Sequence, residues 1–234
     1  MTELFLIRHG QSSNNALADQ SQRVCDPELT EMGQVQAERV AAYLAQREHL
    51  VRVGAAAGAG PALDRLYCSA MIRALHTAVP IGQALGLRPE VWVDIHETGG
   101  IFLERPDGSG VDRFPGEGRS KILARFPDVV LPEAVAEGGW WNGERESTEE
   151  GQQRALQVAQ ILRQQSVTGQ RIGLVTHGDF MSHLIKALLG MRQGPELYIY
   201  HHNTALTHLK IPSKKEVVVY YANRCEHLEK VHIT

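Results

Sequence analysis

Arg8-His9-Gly10 and His177-Gly178 occupy matching places in a 234-residue sequence, each after a short apolar run. The first run is Leu4-Phe5-Leu6-Ile7, and the second is Ile172-Gly173-Leu174-Val175, followed by Thr176. An imidazole can attack an electrophile or carry a proton near neutral pH. The Arg8 guanidinium is a fork of donors suited to a phosphate or carboxylate. Glycine after each histidine lets a ligand approach the backbone. A lone histidine at a strand end is ordinarily a satisfied, partly buried group. Two matched sites, one with an arginine beside it, point instead to a shared centre for an anion.

Two further groups fall in equivalent places. Ser69 follows Leu66-Tyr67-Cys68 and could cap a helix in "MIRALHTAVPIGQALG", with Arg73 in its first turn. A cation there opposes the helix dipole, so Arg73 is either solvated or shares an anion with the helix amino end. Glu97 follows "EVWVDI", either as a strand-end carboxylate or as an exposed loop residue.

The elements that must hold these residues read as alternating strands and helices. Apolar runs predict strands at residues 3–7, in "DRLYCSA" (64–70), which runs into a turn, in "EVWVDI" (90–95) and in "QRIGLVTHG" (170–178). Thr30 is a candidate N-cap, with Leu29 as a hydrophobic staple, for the helix "EMGQVQAERVAAYLAQ". Pro80 is expected to kink or stop the helix that carries Arg73. "DFMSHLIKALLG" reads as a helix ending at Gly190. The tail reads as a hairpin turning at Pro212-Ser213. Residues 53–62 are Gly/Ala-rich and read as a flexible turn. This alternation implies an α/β sheet with helices on both faces, whose ligands bind beyond the carboxyl ends of the strands. Residues 99–146 break the rhythm with many Gly and Pro, helical patches "RSKILARF" and "PEAVAE", and Trp140-Trp141. They read as a cap insertion within a single domain, 1–234, and not as a separate domain.

Composition narrows the function. Net charge is -3, with 43% hydrophobic and 22% charged residues. Nothing here suggests a nucleic-acid or membrane surface, although a local arginine cluster can still bind a small anion. Three scattered cysteines (Cys25, Cys68, Cys225) show neither a disulfide framework nor metal spacing, which favours reduced thiols in the cytoplasm. Glu3 precedes a very short apolar run, unlike a signal peptide.

These residues resemble the histidine phosphatase superfamily, the phosphoglycerate-mutase-like proteins. "RHGQSSNN" at 8–15 carries the signature, and the resemblance assigns Asn15 a phosphate contact. "DPELTEMGQVQA" at 26–37 looks like the stretch leading into the first helix. "CSAMIRALHTA" resembles the second arginine motif, "HETGG" the acidic motif and "VTHGDF" the second histidine motif. "ERES" followed by Arg154 resembles a weaker one. The matches follow the family order from residue 4 to 180. The resemblance implies a three-layer α/β/α sandwich around a mixed, mostly parallel sheet.

The chemistry of a phosphate monoester fits this set. Its uncatalysed hydrolysis is among the slowest reactions known, so catalysis rests on positioning and charge neutralisation. Arg8, Arg73, protonated His177 and backbone N–H groups, Gly178 among them, would surround the phosphoryl oxygens. His9 would attack in line as a neutral imidazole, its tautomer held by a backbone carbonyl. Glu97 would protonate the leaving oxygen and later deprotonate the hydrolytic water. The resemblance implies the same roles. No cofactor and no metal are called for. The expected partner is a small phosphorylated substrate, and a homodimer is left open.

Other readings compete. Asp94-x-His96, His177 with Asp179, and His201-His202 could serve a metal-dependent phosphoesterase, but no dense ligand motif joins them. A mutase would re-transfer the phosphoryl group, yet the paired-arginine "RRSFD"-like stretch of phosphoglycerate mutases is missing; "GVDRFPGEGRSKI" stands roughly there. A non-catalytic binder would need neither nucleophile nor proton donor. Within the insertion, Arg113, Arg119 and Lys121 would select a second negative group if they faced the pocket. Trp140 and Trp141 would anchor the cap or wall a leaving group.

Overall fold

The structure is a computed structural model that describes residues 1–51, 60–141, 143–165, 168–194 and 196–234. Most of the Gly/Ala-rich stretch 53–62 lies outside them.

Strand β1 (Thr2–Arg8) lies inside a six-stranded sheet. Its residues Leu4 to Ile7 are all fully buried, as expected for a strand covered on both faces. Successive side chains of a strand point to opposite sides, and here they enter two different cores. Phe5 and Ile7 pack with α2 (Glu31–Ala45) and α4 (Ile72–Leu85). Leu4 and Leu6 pack with α6 (Thr148–Gln164) and α7 (Gly178–Leu188). One strand therefore sets up three layers, helices on either side of the sheet.

The strand order is β3-β2-β6-β1-β7-β8. Strands β1, β6 (Arg171–Thr176), β2 (Arg65–Cys68) and β3 (Glu90–Val91) run parallel. β7 (Leu206–Ser213) and β8 (Glu216–Arg224) complete the sheet antiparallel, which makes it mixed. Short helices α1 (Ser13–Ala16) and α3 (Glu48–Val51) flank α2. Residues 99–146 contain the two-stranded β4 (Phe102–Glu104) and β5 (Val111–Arg113) and the helix α5 (Arg119–Arg125).

Several local expectations need correction. The strand expected over 90–95 ends at Val91. Its neighbour β2 stops at Cys68, so after Trp92 N–H donates to Cys68 O there is no ladder left to follow. Residues Val93–Ile95 instead close a 3₁₀ turn. The patch "PEAVAE" is not helical, because the Arg119 guanidinium takes the carbonyls of Leu131, Pro132 and Val135. Helix α4 passes through Pro80 to Leu85. The tail turns at Lys214-Lys215, with Pro212-Ser213 still in β7. Thr30 does cap α2, accepting from Gly33 N–H. Helix α7 ends at Leu188, with Gly190 left-handed just beyond.

Candidate active site

The register of the sheet brings the two histidines together. Arg8 pairs with Thr176 across β1 and β6, so His9 and His177 form the next rung. His9 N–H donates to Thr176 O at 2.9 Å. Adjacent strands lie about 4.8 Å apart, and the two imidazole centroids are 5.1 Å apart.

His9 is held by its own loop. Its Nδ1 lies 2.6 Å from Gly10 O, and a carbonyl can only accept, so the proton sits on Nδ1. The lone pair is left on Nε2, which accepts from Arg73 Nε at 3.2 Å. Burial first, then Arg73 and Arg8, push the His9 pKa well below the ordinary value and keep the ring neutral. Gly10 N–H donates to Thr77 Oγ1. A Cβ at Gly10 would lie 2.5 Å from Gly33 O, so the loop can pack this tightly on α2 only as glycine.

His177 is fully buried and is the N-cap residue of α7. Among the described residues, neither ring nitrogen has a hydrogen-bond partner. Burial, then Arg73, then His9 depress its pKa strongly, so in the protein alone this imidazole is neutral. The protonated His177 expected from sequence therefore requires the charge of a bound anion. Gly178 opens α7 beneath the Arg8 guanidinium, 3.5 Å from Arg8 Nε to a Cβ placed there. Arg8 itself donates from Nη1 to His201 O at 2.6 Å.

Arg73 does occupy the first turn of α4, but Ser69 does not cap that helix. Ser69 stands two residues before the N-cap position, Met71, and its Oγ accepts from Met71 N–H. The Ile72 N–H is taken by the Asp26 carboxylate at 3.2 Å, which also stands 3.6 Å from Arg73 Nη1. Asp26 thus offsets a cation at the helix amino end. Burial raises its own pKa to about 6 despite Arg73.

Glu97 lies against the amino end of α7. Its Oε1 accepts from Thr98 N–H and Phe180 N–H, both at 2.9 Å, and Oε2 from Asp179 N–H at 3.4 Å. Burial, then the neighbouring Asp179 charge, raise its pKa above the usual carboxylate value. Arg154 fixes the segment that carries it, donating to Asp94 O and His96 O and pairing with Glu146 at 2.6 Å.

A cavity of about 1060 Å³ opens over this edge. Arg8, His9, Asn15, Arg73 and Glu97 line it; His177 and Gly178 lie behind that surface. Asn15 Oδ1 accepts from Ser12 N–H and from Ser12 Oγ. The expected selectors of the insertion go elsewhere. Arg119 braces carbonyls, Arg113 pairs with Glu144 and Lys121 with Glu117. Trp140 is buried, and with Trp141 it packs around His96, so both are core anchors. Asp94 accepts from Trp92 Nε1, while His96 Nδ1 lies against Val93 O. Among the described residues, no group of three or more His, Cys, Asp and Glu is arranged to hold a metal.

Sequence reasoning missed Asn203, whose Nδ2 donates to His9 O at 2.9 Å. The polar "HHNTA" before an apolar strand was its only signal. It also gave no role to Asp26, although that residue opens the motif "DPELTEMGQVQA".

The sequence profile of the histidine phosphatase superfamily (branch 1) matches residues 4–224, and the chain belongs to that superfamily. Three solved structures share the fold. A phosphoserine phosphatase mutant from Entamoeba histolytica in complex with phosphoserine is 23% identical with a TM-score of 0.61, covering 98% of this chain and 100% of that one. Bacillus stearothermophilus YhfR is 22% identical with a TM-score of 0.59, covering 98% and 100%. A mycobacterial glucosyl-3-phosphoglycerate phosphatase in complex with VO3 is 20% identical with a TM-score of 0.57, covering 95% and 99%. The PE-PGRS family protein PE_PGRS11 of Mycobacterium tuberculosis is 35% identical over 101 residues, 43% of this chain and only 15% of that protein. Among the described residues, no helix is long and apolar enough to cross a membrane.

Proposed function

We propose that the chain is a metal-independent phosphomonoester hydrolase acting on a small phosphorylated metabolite through a phosphohistidine. The observation that carries this reading is the pair of contacts on His9: Nδ1–H to Gly10 O, and the Nε2 lone pair turned to Arg73 Nε, a donor that can pass to a phosphoryl oxygen. The phosphatases among the structural relatives support it.

In the proposed reaction Arg73 Nε turns from His9 Nε2 to a phosphoryl oxygen, joined by Arg8. The Nε2 lone pair attacks phosphorus in line and the ester P–O bond breaks. Glu97, its pKa raised by burial and by Asp179, gives its proton to the leaving oxygen. Ionised Glu97 then takes a proton from the water that attacks the phosphohistidine. The P–N bond breaks, and His9, Glu97 and inorganic phosphate are released in their starting states. The phosphoryl dianion reverses the electrostatics at His177, favouring a proton on that ring. Asn15 spends its Oδ1 on Ser12, which keeps its Nδ2 donor for the phosphoryl group. Residues 99–146 act as a cap over the leaving-group side of a single domain. The three free thiols suit the cytoplasm.

The test is phosphate release after exhaustive treatment with a strong chelator. Arg8, Arg73 and His177 supply the charge a metal would bring, so activity should be unchanged. Activity lost on chelation and restored by a divalent ion would overturn the metal-independent reading.

A further inference from the structure

The cavity is far larger than a phosphoryl group needs, and its outer wall carries three more arginines: Arg23, Arg105 and Arg145. Arg105 is committed to Asp112 at 2.8 Å. Arg145 is committed to Glu104 at 3.0 Å and lies over the Phe102 ring. Deeper in, Glu146 is taken by Arg154 and Asp26 by Arg73. Arg23 differs from all of these. Among the described residues its guanidinium meets one acceptor, the neutral Gln20 Oε1 at 3.2 Å, and no carboxylate at ion-pair distance. It stands close enough to Arg73 for the two cations to repel. A phosphoryl group on Arg8 and Arg73 leaves that charge on the cavity wall unanswered.

We propose that the substrate is a phosphomonoester whose leaving group carries a carboxylate, and that Arg23, on the loop ahead of α2, receives it. This rests on the phosphomonoesterase reading above. Arg23 is then a specificity-determining residue, separate from the groups that act on phosphorus. A guanidinium fork matches a carboxylate through paired N–H donors, and a ligand bearing both anions relieves the repulsion between Arg23 and Arg73. The paired charges of Arg105–Asp112 and Arg145–Glu104 leave the rest of the outer wall with little net preference.

Two probes isolate the carboxylate. O-phosphoserine and O-phosphoethanolamine share the phosphate and the ammonium and differ in the carboxylate alone. Their inhibition constants are measured against turnover of 4-nitrophenyl phosphate. The wild-type protein should bind O-phosphoserine about tenfold more tightly, the usual worth of one partly exposed charge-assisted contact. In Arg23→Ala that ratio should fall to about one, and Arg23→Lys should retain part of it, since a point charge replaces the fork. Arg23 is exposed, so folding of these variants is not in question. A wild-type ratio near one, or a ratio unchanged in Arg23→Ala, would overturn the proposal. Equal weakening of both probes in Arg23→Ala would also overturn it, by placing Arg23 on the transferring phosphoryl group. If 4-nitrophenyl phosphate is not turned over, the hydrolase reading itself falls, and this proposal with it.

Discussion

The sheet-edge wall of the cavity and the wall built by residues 20–25 and 98–106 contain similar residue types in different physical states. At the sheet edge, His9, Arg73 and His177 are buried, and main-chain carbonyls, neighbouring side chains or the strand register fix their positions. On that outer wall Arg105, and beside it Arg145, are about half exposed and paired with Asp112 and Glu104 of the β4–β5 hairpin. Charge in the first region acts at low dielectric and shifts pKa values strongly. Charge in the second is screened and exchangeable. Under the proposed function two tasks separate: chemistry falls to groups the sheet positions, and substrate choice to groups the loops present.

Substitutions should therefore have effects that fall off across the cavity. Short of removing the proposed nucleophile itself, the largest loss is expected for Arg73→Ala, which deletes a buried donor proposed for the phosphoryl group and leaves the Asp26 carboxylate without its cation. We expect kcat/KM to fall by about 10²–10³, the range for loss of one preorganised donor. A loss of only a few-fold in steady-state assays would erase the difference between the two walls.

Next comes Glu97→Gln, which sharpens the role given to the acid. An alkoxide needs a proton to depart, and a nitrophenolate does not. The phosphorylation step should slow by about 10²–10³ on an alkyl phosphate, within the usual range for general acid catalysis, and much less on 4-nitrophenyl phosphate. Single-turnover bursts must be used, because dephosphorylation also loses its base. Equal losses on both substrates would remove Glu97 as leaving-group acid and make Asp179 the next candidate.

A smaller effect concerns stability. His49, His96 and His201 are buried and His227 is partly buried, and burial pushes the pKa of each down to about 4 from the ordinary 6.5. A depressed imidazole binds its proton more readily in the unfolded chain. Its contribution is fully present above pH 6.5 and is lost as pH falls toward 4, at up to about 1.4 kcal/mol per pH unit for each group. Asp26 and Glu97, raised instead, oppose this trend but are fewer. Urea midpoints should fall as pH is lowered from 7 to 5. A flat or rising profile would mean that these imidazoles are not held neutral by burial.

The inner wall was legible in the sequence for a physical reason. A residue directly after a buried parallel strand has little choice of position, so "LFLIRHG" and "IGLVTHG" located His9 and His177 without further information. Glu97 was found by the same rule although its strand ends early, because the 3₁₀ turn Val93–Ile95 still delivers it to that edge. Asp26 and Asn203 stayed hidden because their roles are contacts across long sequence separations, 46 residues to Ile72 and 194 to His9. The outer wall was left open. Arg113, Arg119 and Lys121 stand roughly where a mutase would carry its paired arginines, and from sequence they had a selecting role only if they faced the pocket. Whether an arginine faces a cavity, a carbonyl cluster or solvent depends on packing that no local pattern encodes.

Phosphorylation of His9 Nε2 can be caught by trapping the intermediate. The protein is quenched during turnover of a ³²P-labelled phosphate ester, and the label on the denatured chain is followed in acid and in alkali. A phosphoramidate is lost in acid, where its nitrogen is protonated, and survives alkali. This behaviour is expected of phosphorylated His9, with no label in His9→Ala. Label that survives acid and is lost in alkali would place the phosphoryl group on a carboxylate and overturn the proposed phosphohistidine.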